Sequence, residues 1–210
     1  WSNCENVGCM NETACNYNPD VNVDDGSCLY NDCAGVCGGT AVNCAINVPS
    51  EYSTIQLALT AASEGDTVLV AAGTYVENIT WPETNGIKLI GSGEDDCIID
   101  GNQQGSVIRF EQDLGGIIDS TTLITGFTIQ NGNAQDYNYG GGMYLNRSSP
   151  TLTYVTFSGN TADNYGGGMY LYISSIPTLT DVTFSGNTAQ YGGGMNLSYS
   201  SSTLTGVTFH

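Results

Sequence analysis

The sequence predicts an all-β fold, a solenoid of stacked coils of short strands, and three observations carry that reading. First, the string Tyr139-Gly140-Gly141-Gly142-Met143-Tyr144-Leu145 returns as Tyr165-Gly166-Gly167-Gly168-Met169-Tyr170-Leu171 and again as Tyr191-Gly192-Gly193-Gly194-Met195-Asn196-Leu197, each copy 26 residues after the last. A fixed period of this length is the mark of a solenoid. Second, Phe157-Ser158-Gly159-Asn160-Thr161-Ala162 and Phe184-Ser185-Gly186-Asn187-Thr188-Ala189 recur between the copies, in phase with them. Third, Thr, Val, Ile, Tyr and Phe dominate between the glycines, and a period in the twenties leaves no room for the two helices of a helical repeat.

Within a copy the alternation is two residues. Met143 and Leu145 share one face and Tyr144 takes the other, while Val155 and Phe157 face away from Thr156, so one face is core and the other wet. Stacking superimposes like residues about 4.8 Å apart. Met143/Met169/Met195, Leu145/Leu171/Leu197 and Phe157/Phe184/Phe209 then form continuous apolar ladders. Asn133, Asn160 and Asn187 each follow a Gly, which predicts a stacked Asn row at a corner where the chain visits the left-handed region. The Gly triplets serve tight turns and close backbone approach. A phosphate-cradling loop is the sharper reading, but no Lys-Ser/Thr ending and no strand-loop-helix context accompany them.

Taken in order, residues 1–44 form a Cys-rich module with six acids and neither Lys nor Arg. Cys4, Cys9, Cys15, Cys28, Cys33, Cys37 and Cys44 lie in a stretch too poor in apolar residues to fold unaided, so disulfides are the expected staple and the compartment is secreted, extracellular or cell-surface. Seven is odd, which leaves Cys97 as the eighth partner. Zinc at Cys33-Ala-Gly-Val-Cys37 is the rival reading, without a matching pair or a histidine nearby. Asp20, Asn22, Asp24 and Asp25 offer oxygens for Ca²⁺, although Asp25 stands at the sixth position of the loop, where an EF-hand has Gly, and no Glu stands at the twelfth. A solvated acidic turn is the competing reading.

From Ala45 to His210 the texture is that of the solenoid. A helix over about 53–64 opens it: Ser53 and Gln56 make a capping box, Ile55, Ala58, Leu59 and Ala62 share one face, and Gly65 sits as a C′ glycine. This helix is expected to cap the N-terminal coil, whose strand edges and apolar cross-section would otherwise be open. Strands follow from Thr67 to Phe209, enough for roughly five coils of three strands, about 25 Å of solenoid. No capping element follows Phe209-His210, which is expected of a fragment, a processed product or an end covered by another molecule.

The charge excludes some partners. Twenty-one acids stand against Lys88, Arg109 and Arg147, a net charge of −18. Nucleic acid and anionic membrane are poor partners for that field, whereas cations and cationic or neutral polymers are permitted. Keeping a β-rich surface soluble and monomeric is the competing reading of this acidity. No apolar run is long enough to span a membrane, and no signal peptide remains at Trp1.

Three stretches carry family resemblances. Val48-Pro49-Ser50-Glu51-Tyr52-Ser53-Thr54-Ile55-Gln56, Gly65-Asp66-Thr67-Val68-Leu69-Val70, Gly73-Thr74-Tyr75-Val76-Glu77-Asn78-Ile79 and Ile98-Ile99-Asp100-Gly101 resemble the opening of pectate-lyase-like right-handed parallel β-helices. The Gly-Gly-Gly-Met and Phe-Ser-Gly-Asn-Thr-Ala motifs resemble the repeat of polymorphic outer-membrane proteins, surface adhesins of the same fold. The module at 1–44 resembles Cys/Asp/Gly-rich repeats of large bacterial secreted proteins. These resemblances imply a right-handed parallel β-helix and say little of activity.

Enzymes of the resembled fold cleave or de-esterify acidic polysaccharides with Asp pairs or with Arg and Lys bases. Here Asp95, Asp96, Asp100, Asp113 and Asp119 are the carboxylates and Arg109 and Arg147 the arginines. None of the motifs marking catalytic positions is present, so no catalytic residue is carried over. A field that repels polyanions also disfavours such substrates. The sequence leans away from catalysis and requires no cofactor. The expectation is an adhesin or structural module, self-assembling head to tail into filaments or binding cell-surface glycans, with a polysaccharide-binding module and then a lyase, esterase or hydrolase as alternatives. Tyr144, Tyr170 and Tyr172 are the candidate sugar-stacking rings, with Tyr154 and Tyr199 in neighbouring segments. An exterior Tyr ladder that stiffens the sheet is the competing reading.

Overall fold

The computed structural model describes residues 6–30, 37–39, 45–111, 117–135 and 139–210. The chain divides into two compact units, Trp1–Cys44 and Ala45–His210.

In the first unit, β1 (Val7–Gly8) and β2 (Val23–Asp24) form a short parallel pair. Its described apolar core is only Cys9, Ala14 and Val21. Disulfides Cys9–Cys28 and Cys15–Cys37 close loops of 19 and 22 residues. Cross-links of that span stabilise by about 3 kcal/mol each by restricting the unfolded chain, which is how so small a core holds a fold. Cys4, Cys33 and Cys44 lie outside the described residues.

The second unit is a parallel β-solenoid of about five coils. It opens with β3 (Ala45–Val48) and α1 (Ile55–Ala61). Successive coils are β4 (Thr67–Val70), β5 (Gly73–Val76) and β6 (Ile79–Thr80), then β7 (Lys88–Gly91), β8 (Cys97–Asp100) and β9 (Ile108–Phe110). Next come β10 (Leu123–Gln130), β11 (Asn133–Ala134) and β12 (Met143–Asn146), then β13 (Thr151–Ser158), β14 (Thr161–Ala162) and β15 (Met169–Tyr172). The last strands are β16 (Thr178–Ser185), β17 (Met195–Ser198), β18 (Thr203–Thr205) and β19 (Thr208–Phe209).

The long strands bend. The first half of β10 pairs with β7 and its second half with β8, because Gly126 between them is left-handed at φ 75°. Tyr154 and Asp181 take the same conformation at the matching points of β13 and β16. One sheet, running β18-β16-β13-β10-β7-β4-β3 with β5, β8 and β19 alongside, thus supplies two walls of the coil. The third wall is β17-β15-β12-β9-β6. On the first two walls the outward positions are stacked threonines, Thr151↔Thr178↔Thr203 and Thr128↔Thr156↔Thr183↔Thr208 among them.

The predicted ladders stand in register. Met143↔Met169↔Met195 and Leu145↔Leu171↔Leu197 pair directly, and Phe157, Phe184 and Phe209 stack at 4.9 Å with ring planes 6° apart. That distance is the strand spacing itself. The Gly triplets bond coil to coil, Gly141 N–H to the Gly166 carbonyl at 3.1 Å and Gly142 N–H to the Gly167 carbonyl at 3.0 Å. A Cβ on Gly141 would lie 2.3 Å from the Thr161 oxygen and 2.6 Å from that of Gly167, so the close approach excludes any side chain.

The Asn row differs from expectation. Asn160 and Asn187 form it: the Asn160 amide donates to Asn187 Oδ1 at 3.0 Å and to the Ile129 carbonyl at 2.9 Å, and Asn160 Oδ1 accepts from Gly132 N–H at 2.9 Å. Asn133 is not in it, since it pairs with Thr161. The reason is a one-residue offset: Asn131-Gly132-Asn133 carries its Gly where the later coils carry Asn. The left-handed residues are likewise Asn131, Gly159 and Gly186 and not the predicted asparagines.

The helix is shorter than predicted and capped differently. Thr54, not Ser53, is the N-cap, its hydroxyl accepting from Leu57 N–H at 3.2 Å. The Glu77 carboxylate, remote in sequence, accepts from Ile55 and Gln56 N–H at 2.9 and 3.0 Å. Gln56 closes no capping box. Its amide donates to the Thr80 carbonyl at 3.0 Å and accepts from Thr80 N–H at 2.8 Å, standing in for the missing neighbour of the β6 edge. Gly65, left-handed at φ 85°, lies in the turn beyond the C-cap Ala62. Ile55, Ala58, Leu59 and Ala62 are buried as expected.

Cys97, expected in the disulfide set, has a free thiol. It occupies an inward position of β8, fully buried, with its sulfur 3.6 Å from the Ala71 carbonyl. Burial raises its pKa, and only the thiolate is nucleophilic. Thiol labelling at Cys97 is therefore expected to be negligible in the native protein and complete in denaturant, as mass spectrometry of labelled peptides would show.

Candidate functional site

On the third wall, alternation sends Met143 and Leu145 inward and Tyr144 and Asn146 outward. Register then builds three outward columns. Arg109, Tyr144, Tyr170 and Asn196 form the middle one, and Asn146, Tyr172 and Ser198 run beside it. Tyr139, Tyr165 and Tyr191, bridged coil to coil at the start of the Gly triplets, form the third. Aromatic rings thus occupy the centre, with Arg109 at one end and Asn196 and Ser198 at the other.

The rings stack on one another. Tyr139 lies 5.0 Å from Tyr170, Tyr165 lies 5.2 Å from Tyr191, and Tyr144 and Tyr172 each lie 6.0 Å from Tyr170. Tyr144 and Tyr170 point away from the core yet are only 8% and 5% exposed, because neighbouring rings cover them. Their predicted role as open stacking platforms is corrected accordingly: packing of ring on ring leaves little of either residue exposed. Tyr139, Tyr144, Tyr170 and Tyr172 enclose a groove of about 140 Å³.

Arg109 closes one end. Its guanidinium lies 4.6 Å above the Tyr144 ring, bonds Ser106 Oγ at 3.2 Å and forms a two-pronged pair with Glu111, at 2.5 and 3.3 Å. The Asn146 amide donates to Tyr144 Oη at 3.1 Å. Its Oδ1 is buried without a hydrogen-bond partner.

Burial raises the pKa of Tyr144 and of Tyr170 from the ordinary 10.0. The folded chain therefore holds protons that the unfolded chain would release, and the stability this contributes is complete below pH 10 and lost as pH rises through the folded values. The melting temperature is expected to hold up to about pH 10 and fall above it, with buried phenolate absorbance appearing alongside unfolding rather than before it.

The other predicted residues lie elsewhere. Asp24 Oδ1 accepts from Gly26 N–H and Asp25 Oδ1 from Ser27 N–H, while Asn22 Oδ1 accepts from Asn6 N–H, each at about 3 Å. Asp20 contributes its carbonyl to the Asn6 amide at 2.8 Å. Among the described residues no three His, Cys, Asp or Glu side chains gather as a metal site. Asp100 is partly desolvated, which opposes ionisation, but bonds from Gln130, Asn102 N–H and Asn131 outweigh this and lower its pKa. Asp119 is engaged by Thr121 and Asn85. Arg147 is left-handed at the corner after β12, and Asp95 and Asp96 are exposed before β8. Asp113 lies outside the described residues. Arg109, Glu111, Tyr139 and Asn146 were not anticipated as one group. The signal available was register: counting outward positions back from Tyr170 through Tyr144 reaches Arg109.

The profile of a family described as the right handed beta helix region matches residues 71–210, two thirds of the chain. The chain belongs to the right-handed β-helix family. In this β-helix the third wall is distinguished from the threonine-covered others by its tyrosines. No curated protein matches the chain.

Proposed function

We propose that this right-handed β-helix is a non-catalytic adhesin module of a secreted or cell-surface protein, which contacts glycans through the tyrosine groove of its third wall. The observation that carries the reading is the change of surface: two walls present repetitive threonines, and the third gathers Tyr139, Tyr144, Tyr170 and Tyr172 around a groove, with Arg109, Asn146 and Ser198 at register positions of the same wall. Tyrosine joins an apolar body to a hydrogen-bonding tip, which suits a sugar. The disulfides of the first unit support an oxidising compartment. A glycan array tests it: the intact chain should bind a subset of glycans, and Tyr172→Ala should reduce that binding at least tenfold. Silence on the array would contradict the reading.

A second reading, self-assembly, is favoured by the last coil, where Leu197, Leu204 and Phe209 are 40–49% exposed, whereas their counterparts Leu171, Leu179 and Phe184 are buried. Addition at the opposite end is opposed by Gln56, which already occupies the β6 edge at Thr80. Filaments in negative-stain electron microscopy would support assembly, and single short rods would exclude it.

A further inference from the structure

We propose that the face made by the first halves of β10, β13 and β16, continued by β18, binds the surface of an ice crystal through two columns of threonines. It is a different wall from the tyrosine groove, and its binding is independent of the glycan reading.

The motif is Thr-Leu-Thr, written as Thr151-Leu152-Thr153, Thr178-Leu179-Thr180 and Thr203-Leu204-Thr205. The copies pair residue for residue on consecutive coils, so Thr151↔Thr178↔Thr203 is one column and Thr125↔Thr153↔Thr180↔Thr205 the other. Leu152 and Leu179 are wholly buried, which turns the threonines on either side of them outward. The array lies before the left-handed bends at Gly126, Tyr154 and Asp181, on one stretch of sheet. Any β-favouring residue would satisfy the strand at these outward positions, yet each of those paired across the three copies is threonine.

Spacing selects the partner. Threonines recur about every 4.8 Å along the solenoid axis and about every 6.6 Å along each strand. A β-branched side chain has few rotamers by which to leave those positions. Both repeats are close to oxygen repeats on the faces of hexagonal ice. Thr153 Oγ1 donates to Thr125 Oγ1 at 2.9 Å and Thr151 Oγ1 to the Ser120 carbonyl at 2.9 Å, which steadies one edge of the array. The hydroxyls of Thr178, Thr180, Thr203 and Thr205 have no protein partner among the described residues. Each both donates and accepts, as a water molecule in the crystal surface does, and the methyl beside it orders the water around it. One such contact gains little over liquid water. A rigid array makes many at once, with its side chains already ordered by folding.

The face also disfavours other occupants. From β10 to β18 neither column carries a charged residue, although the chain as a whole carries −18. Neither carries an aromatic ring of the kind that stacks on sugars. The adjoining wall is not equivalent despite its threonines, because the Glu94 carbonyl accepts from Thr128 and the Glu94 carboxylate from Thr156, at 2.8 and 2.7 Å. That loop occupies the hydroxyls a flat lattice would need. The columns stop at β7, where Lys88 and Ile90 take the corresponding positions.

The test watches a single ice crystal in a solution of the intact chain in a nanolitre osmometer. Faceted growth and a gap between melting and freezing points are expected. Thr180→Tyr and, on the exposed outer strand, Thr205→Tyr should each shrink that gap at least tenfold, because a ring standing above the array lifts it off the crystal. Thr183→Tyr, on the adjoining wall, should leave it unchanged. Circular dichroism melting of each variant separates lost binding from unfolding. Rounded crystals growing through the unsubstituted chain without a gap would overturn the proposal. A gap that survives both array variants, each folded, would overturn its assignment to this face. Retention on powdered cellulose or chitin that the same variants abolish, with no effect on ice, would overturn ice as the occupant in favour of a crystalline polysaccharide.

Discussion

Phe157→Ala is expected to lower stability by about 3–5 kcal/mol, the range for removing a fully buried aromatic side chain. Phe157 is wholly buried and its ring lies 4.9 Å from that of Phe184, so truncation opens a cavity between coils whose backbones are pinned by hydrogen bonds and cannot close over it. In a solenoid each coil contacts only its neighbours, and a weakened interface in the middle lowers the cooperativity of the whole stack. Urea unfolding followed by circular dichroism should show a large drop in midpoint, together with a shallower slope if the two sides of the cavity begin to unfold separately. Phe209→Ala, at a ring 49% exposed, should cost about 1 kcal/mol, since less apolar area leaves water there. Equal effects at the two positions would argue against the stacked-ring account.

Asn160→Ala is expected to cost about 3 kcal/mol. The substitution strands the Gly132 N–H and the Ile129 carbonyl, both of which Asn160 satisfies inside the corner, and a buried polar group left unpaired costs about 1–3 kcal/mol. Asn133→Ala should be near neutral, because Asn133 lies outside the ladder and its Oδ1 already lacks a partner. The pair is a direct measurement of register. If both asparagines had equivalent roles, as their shared position after Gly predicts, the two variants would lose stability together.

That contrast marks where sequence reasoning reached and where it stopped. The in-phase repeats determine stacking between coils, so the Met, Leu and Phe ladders and the close-packed Gly triplets were legible: identical residues at a constant period can superimpose in only one register. The third coil departs from the repeat by one residue at Asn131-Gly132-Asn133, and a motif search that matches Gly-Asn slips there, whereas the backbone follows hydrogen-bond register. The helix was legible from its apolar face, but its true cap is not. Glu77 and the Gln56 bridge to Thr80 join residues more than 20 positions apart, and no local pattern encodes them. Cys97 was assigned to the disulfide set by parity, an argument that ignores its inward phase on β8 beside Ile99.

The candidate site was half legible for the same reason. Alternation correctly sent Tyr144 and Tyr170 outward, but alternation says nothing about how large side chains on one face cover each other. Stacking coils at about 4.8 Å forces such rings to overlap, and the overlap converts an open aromatic row into a narrow groove between tyrosines. Arg109 and Asn146 enter the group through register with Tyr144 and Tyr172 and not through any motif of their own.

The most direct test of the account is tyrosine-ring NMR on the ¹³C-tyrosine-labelled chain, titrated with neutral cellohexaose and mannohexaose. Saturable shifts confined to Tyr139, Tyr144, Tyr170 and Tyr172, with Tyr154 and Tyr199 unmoved, are the predicted result. Shifts at Tyr154 or Tyr199 instead, or spectra unchanged across the titration, would contradict a sugar site on the third wall.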